Sequence, residues 1–276
     1  MIPIKRCVAA ALCSLGFALP ASATTYSVDF TDLWFIPSES GWGINLIQQS
    51  DTMFATLFVY GADTQPHWFV ASALKGSNGN TFTGQLFETN GPVFTAPFNP
   101  GAFSIRPVGT MTLSFTSVST ATLVYTVNGQ SVTKSIQRQS FTAENLSGSY
   151  LGGLTATGSG CGNGATNGPV LIFDTLTVTH TGGNVAARVD FFTASASGAP
   201  QPAVCNFNGA YSQTGRLGSV SGGFNCSFNG VAGNVGTFTI SQINAQVNGF
   251  TGAFQGSDQF CSSYSGFFGG VRDVPH

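Results

Sequence analysis

The sequence predicts an all-β protein of two antiparallel meander domains, each an up-and-down barrel or a two-sheet sandwich, behind an export signal. Three observations predict it: apolar and hydroxyl side chains alternate with period two almost throughout, eight Asn-Gly pairs punctuate that alternation, and the chain opens with a basic, then apolar, then small-residue stretch.

The opening stretch comes first. Lys5 and Arg6 form the basic region, Cys7 to Leu19 the apolar one, and Ala21-Ser22-Ala23 the small residues of a cleavage site. Residues 1–23 therefore read as a signal peptide, with Thr24 opening the mature chain. An apolar run of roughly 13 residues falls short of the ~20 that span a bilayer, and no later run reaches that length. A lipid anchor needs a cysteine preceded by small residues, whereas Cys7 follows Arg6 and Cys13 follows Leu12. The expected address is the periplasm or the extracellular space, without a membrane span.

The strands follow from alternation. In Thr110 to Thr116, Met111, Leu113 and Phe115 point to one face and the intervening Thr and Ser to the other, and Phe238 and Ile240 repeat the pattern within Thr237 to Ser241. The Asn-Gly pairs, from Asn78 to Asn248, tolerate the positive φ of tight hairpins, so consecutive strands are expected to be antiparallel neighbours. No dozen residues carry helical apolar spacing. A meander of half-buried strands covers its apolar face either by closing on itself or by pairing two sheets.

The polar stretch Phe141 to Ser147 divides the chain into a first domain, 24–143, and a second, 144–276. Val108-Gly109-Thr110 resembles Val235-Gly236-Thr237, and Phe58-Val59-Tyr60 before Pro66 resembles Phe191-Phe192-Thr193 before Pro200. Both matches imply an offset of about 130 residues, well outside the period of repeat arrays. Duplication and convergent β composition both account for them.

Only 7% of residues are charged, against about a quarter in ordinary globular chains. With 42% hydrophobic residues the chain does not read as disordered. Its solvated surface has to be built from Thr, Ser, Asn, Gln and Gly. Taking Lys5 and Arg6 from nine basic residues leaves seven against eleven acidic ones. So weak a field, with no basic cluster, argues against nucleic acid and anionic membrane surfaces as partners.

Cys161, Cys205, Cys226 and Cys261 remain after signal removal, an even number suited to an oxidising compartment. No two lie close enough to start a zinc knuckle. Three pairings are possible. Barrel closure brings the first and last strands of a domain together, which favours Cys161 with Cys261 and leaves Cys205 with Cys226.

All three tryptophans, Trp34, Trp42 and Trp68, lie in one short segment with Glu39, Asp51 and His67. The run Trp34-Phe35-Ile36-Pro37-Ser38-Glu39-Ser40-Gly41-Trp42-Gly43-Ile44-Asn45-Leu46, continued by Asp51, Phe54, Phe58, Tyr60, Pro66 and Trp68, resembles a segment recurring in exported bacterial proteins of unassigned function. The resemblance brings no activity with it. Aromatic faces beside a few polar groups suit a sugar ring or a small flat apolar ligand, so Trp34, Glu39, Trp42, His67 and Trp68 are candidate ligand-binding residues. Trp42 is the expected anchor, because its flanking glycines would let a ligand approach the ring. The alternative makes Trp34 and Trp68 core aromatics, Gly41 and Gly43 turn residues, and Glu39 a cap for loop amides.

Catalytic templates mostly fail. No Gly-x-Ser-x-Gly elbow occurs, and Ser72 to Lys75 and Ser131 to Lys134 lie on strand patterns, where residues three apart face opposite sides. Only His67 and His180 could serve a Ser-His-Asp site, since His276 is terminal. Glu39 with Asp51 is the one carboxylate pair to weigh for glycoside hydrolysis. No cofactor is expected. Three classes remain: a secreted binding module for a carbohydrate or small apolar ligand, a structural or interaction protein of the cell surface, and a hydrolase using Glu39, Asp51 or His67.

Overall fold

The computed structural model describes residues 28–273 except 78, 163, 164, 166 and 196. Residues 1–23, expected to be a signal peptide, and His276 lie outside the described residues. Two closed eight-strand antiparallel barrels follow one another along the chain, and the described residues contain no α-helix, only the 3-10 turn Pro100–Ala102. The first barrel consists of β1 (Asp32–Phe35), β2 (Gly43–Gln49), β3 (Thr52–Tyr60), β4 (Pro66–Ser77), β5 (Thr81–Asn90), β6 (Ser104–Phe115), β7 (Thr120–Val127) and β8 (Gln130–Arg138). The second consists of β9 (Gly148–Cys161), β10 (Gly168–Thr181), β11 (Asn184–Ala194), β12 (Pro200–Thr214), β13 (Leu217–Phe228), β14 (Val231–Gln246), β15 (Gly249–Asp258) and β16 (Cys261–Arg272).

Each strand pairs with its neighbours in sequence, and the last returns to the first. The β1–β8 seam holds Trp34 opposite Arg138, and the β9–β16 seam runs from Cys161 opposite Cys261 to Tyr150 opposite Arg272. Of the two all-β architectures open to the sequence, the barrel is adopted by both halves; closure leaves no edge strand. The alternation has its expected meaning: Met111, Leu113 and Phe115 are buried in the first interior, Phe238 and Ile240 in the second.

The Asn-Gly pairs are less uniform than the sequence suggests. Asn128-Gly129 and Asn229-Gly230 each have positive φ at both residues and join β7 to β8 and β13 to β14. Asn208-Gly209, by contrast, lies inside β12. A Cβ on Gly209 would meet the Ser221 carbonyl oxygen at 2.6 Å, so this glycine serves close strand packing rather than a turn.

In an up-and-down barrel successive turns alternate between ends. One end of the first barrel is closed by Phe30 stacked on Phe115 at 3.7 Å, with Phe82 and Trp34 edge-on to the same ring. Arg138, only 2% exposed, lies 5.0 Å from the Trp34 ring centroid. The second barrel closes one end with the same device: Arg272 lies 5.1 Å from the Tyr150 ring. In each barrel the first-strand aromatic also donates to the carbonyl four residues back, Trp34 Nε1 to Phe30 and the Tyr150 hydroxyl to Leu146. The two sequence matches fall on β6 with β14 and on β3 with β11, strands eight apart in the meander.

The closed ends face each other. The β12–β13 turn reaches the first barrel, where the Gly215 amide donates to Ser140 Oγ at 2.7 Å, the Arg216 amide to Asp32 Oδ2 at 3.1 Å, and the Arg216 guanidinium pairs with Asp29. Gln213 binds the linker, accepting from the Glu144 amide and donating to the Thr142 carbonyl. Each barrel is therefore plugged at the junction and open at its far end. Disulfides join Cys161 to Cys261 across the β9–β16 seam and Cys205 to Cys226 between β12 and β13.

Candidate functional site

Phe30, Trp34, Phe82 and Phe115 fill the closed end of the first barrel. At the other end the β3–β4 and β7–β8 turns, the strands they join and the end of β5 line a cavity of about 400 Å³. His67, Phe69 and Tyr125 supply its ring faces, Glu88, Asn128 and Gln130 its hydrogen-bonding groups, and Tyr60 lies at its rim with its ring over Gly41. His67 lies parallel to Phe69, centroids 6.4 Å apart, and its Nε2 is 3.3 Å from Asp63 Oδ1. The Gln65 amide, followed by His67, holds the Asp63 carboxyl below the usual carboxylate range, against a smaller opposing effect of burial. Gly61 is needed beneath this pair, since a Cβ there would sit 2.7 Å from His67 Nε2. Arg106 bridges Glu88 and Asn128 across the rim.

Beside the cavity, Lys134 projects inward from β8 on the same face as Val132 and Ile136, and donates to Glu39 Oε2 at 2.7 Å. Trp42 Nε1 donates to the same oxygen at 3.0 Å, and Lys134 Nζ lies 5.6 Å from the Trp42 ring centroid. The Lys134 bond first, and the Trp42 bond as well, push the Glu39 carboxyl below its ordinary value. Burial pushes the Tyr125 phenol up, so at neutral pH it is an uncharged donor and acceptor facing the cavity.

The structure separates the residues that the sequence groups. Trp34 is 0% exposed at the closed end and belongs to the core. Trp68 is 54% exposed on the outer wall, paired with Phe58 across β3 and β4. Trp42 packs half-buried against the core, and the space beside its glycines is taken: a Cβ on Gly41 would lie 3.1 Å from the Tyr60 ring and one on Gly43 2.8 Å from the Phe58 ring. Those glycines admit the protein's own aromatics, not a ligand. Asp51 sits in the β2–β3 turn, at the opposite end of the seven-residue β2 from the loop holding Glu39. Strand rise puts the two carboxylates roughly 20 Å apart, beyond the ~5 to 9.5 Å of glycosidase pairs. His180 belongs to the junction, where its ring accepts from the Leu146 amide. Among the described residues the His67 side chain bonds only Asp63, so no hydroxyl is poised against it as a nucleophile.

Of the proposed ligand residues, His67 lines the cavity, while Glu39 and Trp42 support one side of it. Sequence reasoning missed Tyr60, Tyr125 and Lys134. The inward parity of Val132, Lys134 and Ile136 was a usable signal, because a lysine on an apolar strand face implies a partner waiting there.

The second barrel is also hollow at its open end. Its cavity of about 210 Å³ is walled mainly by Phe191, Phe207, Phe224, Phe254 and Ile172, with Asn234, Asp258 and Tyr264 at one side. Burial, reinforced by the bond to Asp258, raises the Tyr264 phenol from 10.0 to about 12. A raised phenol pKa means that folding favours the protonated form. The contribution is present in full below the unfolded value of 10.0 and is lost as pH rises through about 12. Thermal melts between pH 9 and 12 are accordingly expected to show the second barrel losing stability from about pH 10 upward, with a shallower fall in Tyr264→Phe. Parallel curves for the two proteins would exclude Tyr264 as the group responsible.

Compared with protein families, curated proteins and solved structures, the chain has no match.

Proposed function

We propose that this is an exported binding protein whose first barrel takes a neutral carbohydrate at its open end. The observation that carries the reading is the roughly 400 Å³ cavity, which sets ring faces beside amide and carboxylate groups at the end of the barrel away from the junction. That volume lies within the range of small-molecule sites. Sugars present apolar ring faces and a rim of hydroxyls, and His67 and Tyr125 offer the first what Asn128, Gln130 and Glu88 offer the second. Neutrality follows from the pairing of the charges: Glu39 with Lys134, Glu88 with Arg106, and Asp63 with His67 and the Gln65 amide. Trp42 supports the wall by holding Glu39. The two disulfides suit an oxidising compartment, which supports export.

Titration calorimetry with neutral mono- and disaccharides, and with a uronic acid as the charged control, tests this. Binding of a neutral sugar is expected to weaken about five- to a hundredfold in His67→Ala, the usual cost of about 1 to 3 kcal/mol for losing an anchoring ring. Trp68→Ala, on the outer wall, should leave it unchanged. Saturable binding that Trp68→Ala abolishes and His67→Ala spares would move the site out of the barrel.

A second reading, an interaction protein, is favoured by one observation. Ile47 opposite Phe54 and Phe58 opposite Trp68 form an exposed apolar strip across the outer wall of β2, β3 and β4. Loss of self-association or surface attachment in Trp68→Ser, with sugar binding absent throughout, would favour it.

A further inference from the structure

We propose that the open end of the second barrel is a separate site for a neutral, flat apolar molecule of one or two fused rings that carries a hydrogen-bond donor. Size sets the scale. The cavity of about 210 Å³ exceeds the ~150 Å³ of an engineered cavity lined by Leu, Ile and Phe that stays dry and takes up benzene. It therefore has room for a bicyclic ligand and not for a long acyl chain. Its walls are aromatic: Phe207 faces Phe224 at 5.5 Å and meets Phe254 edge-on at 6.3 Å, spacings of rings in direct contact, so a further ring would pack beside this cluster.

Polarity then selects the ligand's one functional group. Asp258 accepts from the Phe260 and Cys261 amides at 2.8 Å, from Asn234 Nδ2 at 2.6 Å and from the Tyr264 hydroxyl at 3.0 Å. Four donors occupy the roughly four lone-pair positions of a carboxylate, so Asp258 has none left for a cation and repels an anion. The Tyr264 proton is committed to Asp258, but its oxygen keeps a lone pair. A ligand hydroxyl or ring N–H fits that acceptor. This site differs in kind from the first mouth, which mixes ring faces with several polar groups, and it does not depend on the carbohydrate reading.

The test uses the full oxidised chain and titration calorimetry with 2-naphthol, 2-methoxynaphthalene and 2-naphthoate. Saturable binding of 2-naphthol is expected, with the methoxy compound about five- to tenfold weaker for want of a donor and the naphthoate weaker still. Tyr264→Phe should bring 2-naphthol down to the level of the methoxy compound. Thr193→Trp, which keeps a strand-favouring residue while filling the cavity from β11, should abolish binding of both. His67→Ala should change neither, and that keeps failure here distinct from failure at the first barrel. No saturable binding of 2-naphthol to a folded protein, equal affinity for naphthol and its methyl ether, or full affinity in Thr193→Trp would each overturn the proposal.

Discussion

Replacing Arg138 with Met is expected to destabilise the first barrel by about 3 to 5 kcal/mol, the cost of removing one partner from a buried charge pair. The guanidinium donates to the carbonyls of Val118, Thr31 and Asp29 and to the Asp32 carboxylate, while its face covers Trp34. These bonds tie together the segment 29–31, the β6–β7 turn and the β1–β8 seam, which has a short ladder of its own. Methionine fills much of the volume but leaves the acceptors without donors. Burial lowers the Arg138 pKa and the Asp32 pair opposes that shift, so neither partner is comfortable alone. For a domain of this size the loss corresponds to roughly 12 to 25 °C in midpoint. Since every tryptophan belongs to the first barrel, tryptophan fluorescence reads this directly. Arg138→Lys should recover only part, because an ammonium cannot span four acceptors. A change below about 1 kcal/mol, the worth of an exposed ion pair, would mean that water replaces the guanidinium at this end.

The fold was legible because it rests on local chemistry. Alternation in Thr110 to Thr116 sorts inside from outside without any long-range information, and positive φ at Asn128-Gly129 and Asn229-Gly230 requires hairpins. Barrel rather than sandwich was not legible, since closure depends on two strands more than a hundred residues apart meeting edge to edge. The candidate site was legible only in part, and for a specific reason. A tryptophan-rich segment of a meander distributes its side chains over three environments according to parity and end: Trp34 faces inward at the plugged end, Trp42 lines the loop at the open end, and Trp68 faces outward. Sequence proximity groups them and the barrel separates them. The second cavity gave no local signal at all, because Asn234, Asp258 and Tyr264 come from three strands and the five phenylalanines from four. Each looks like an ordinary strand residue until the barrel closes.

Removing the seam disulfide should separate the two barrels thermodynamically. Cys161 and Cys261 are 100 residues apart, and chain entropy assigns a loop of that length about 4.7 kcal/mol, less any strain in the native state. Cys205 and Cys226, 21 apart, close a shorter loop nested within it, so the two effects will not simply add. The double variant Cys161→Ala, Cys261→Ala is therefore expected to lower the second barrel's midpoint by roughly 15 to 20 °C at this domain size. The first barrel, which contains no cysteine among its strands, should keep its tryptophan-detected midpoint. Two calorimetric transitions, of which only one moves, would be the result. A competing expectation comes from the seam itself: β9 and β16 pair along nearly their whole length, from Cys161 to Tyr150, while β1 and β8 meet briefly and close without a disulfide. If backbone pairing alone secures a seam, the variant will lose under about 1 kcal/mol, and the entropy estimate fails for this fold because its unfolded chain is already compact. If instead both transitions fall together, the contacts of Gly215 and Arg216 with Ser140, Asp32 and Asp29 couple the barrels into one cooperative unit, and the chain then unfolds as a single body despite having two separate cores.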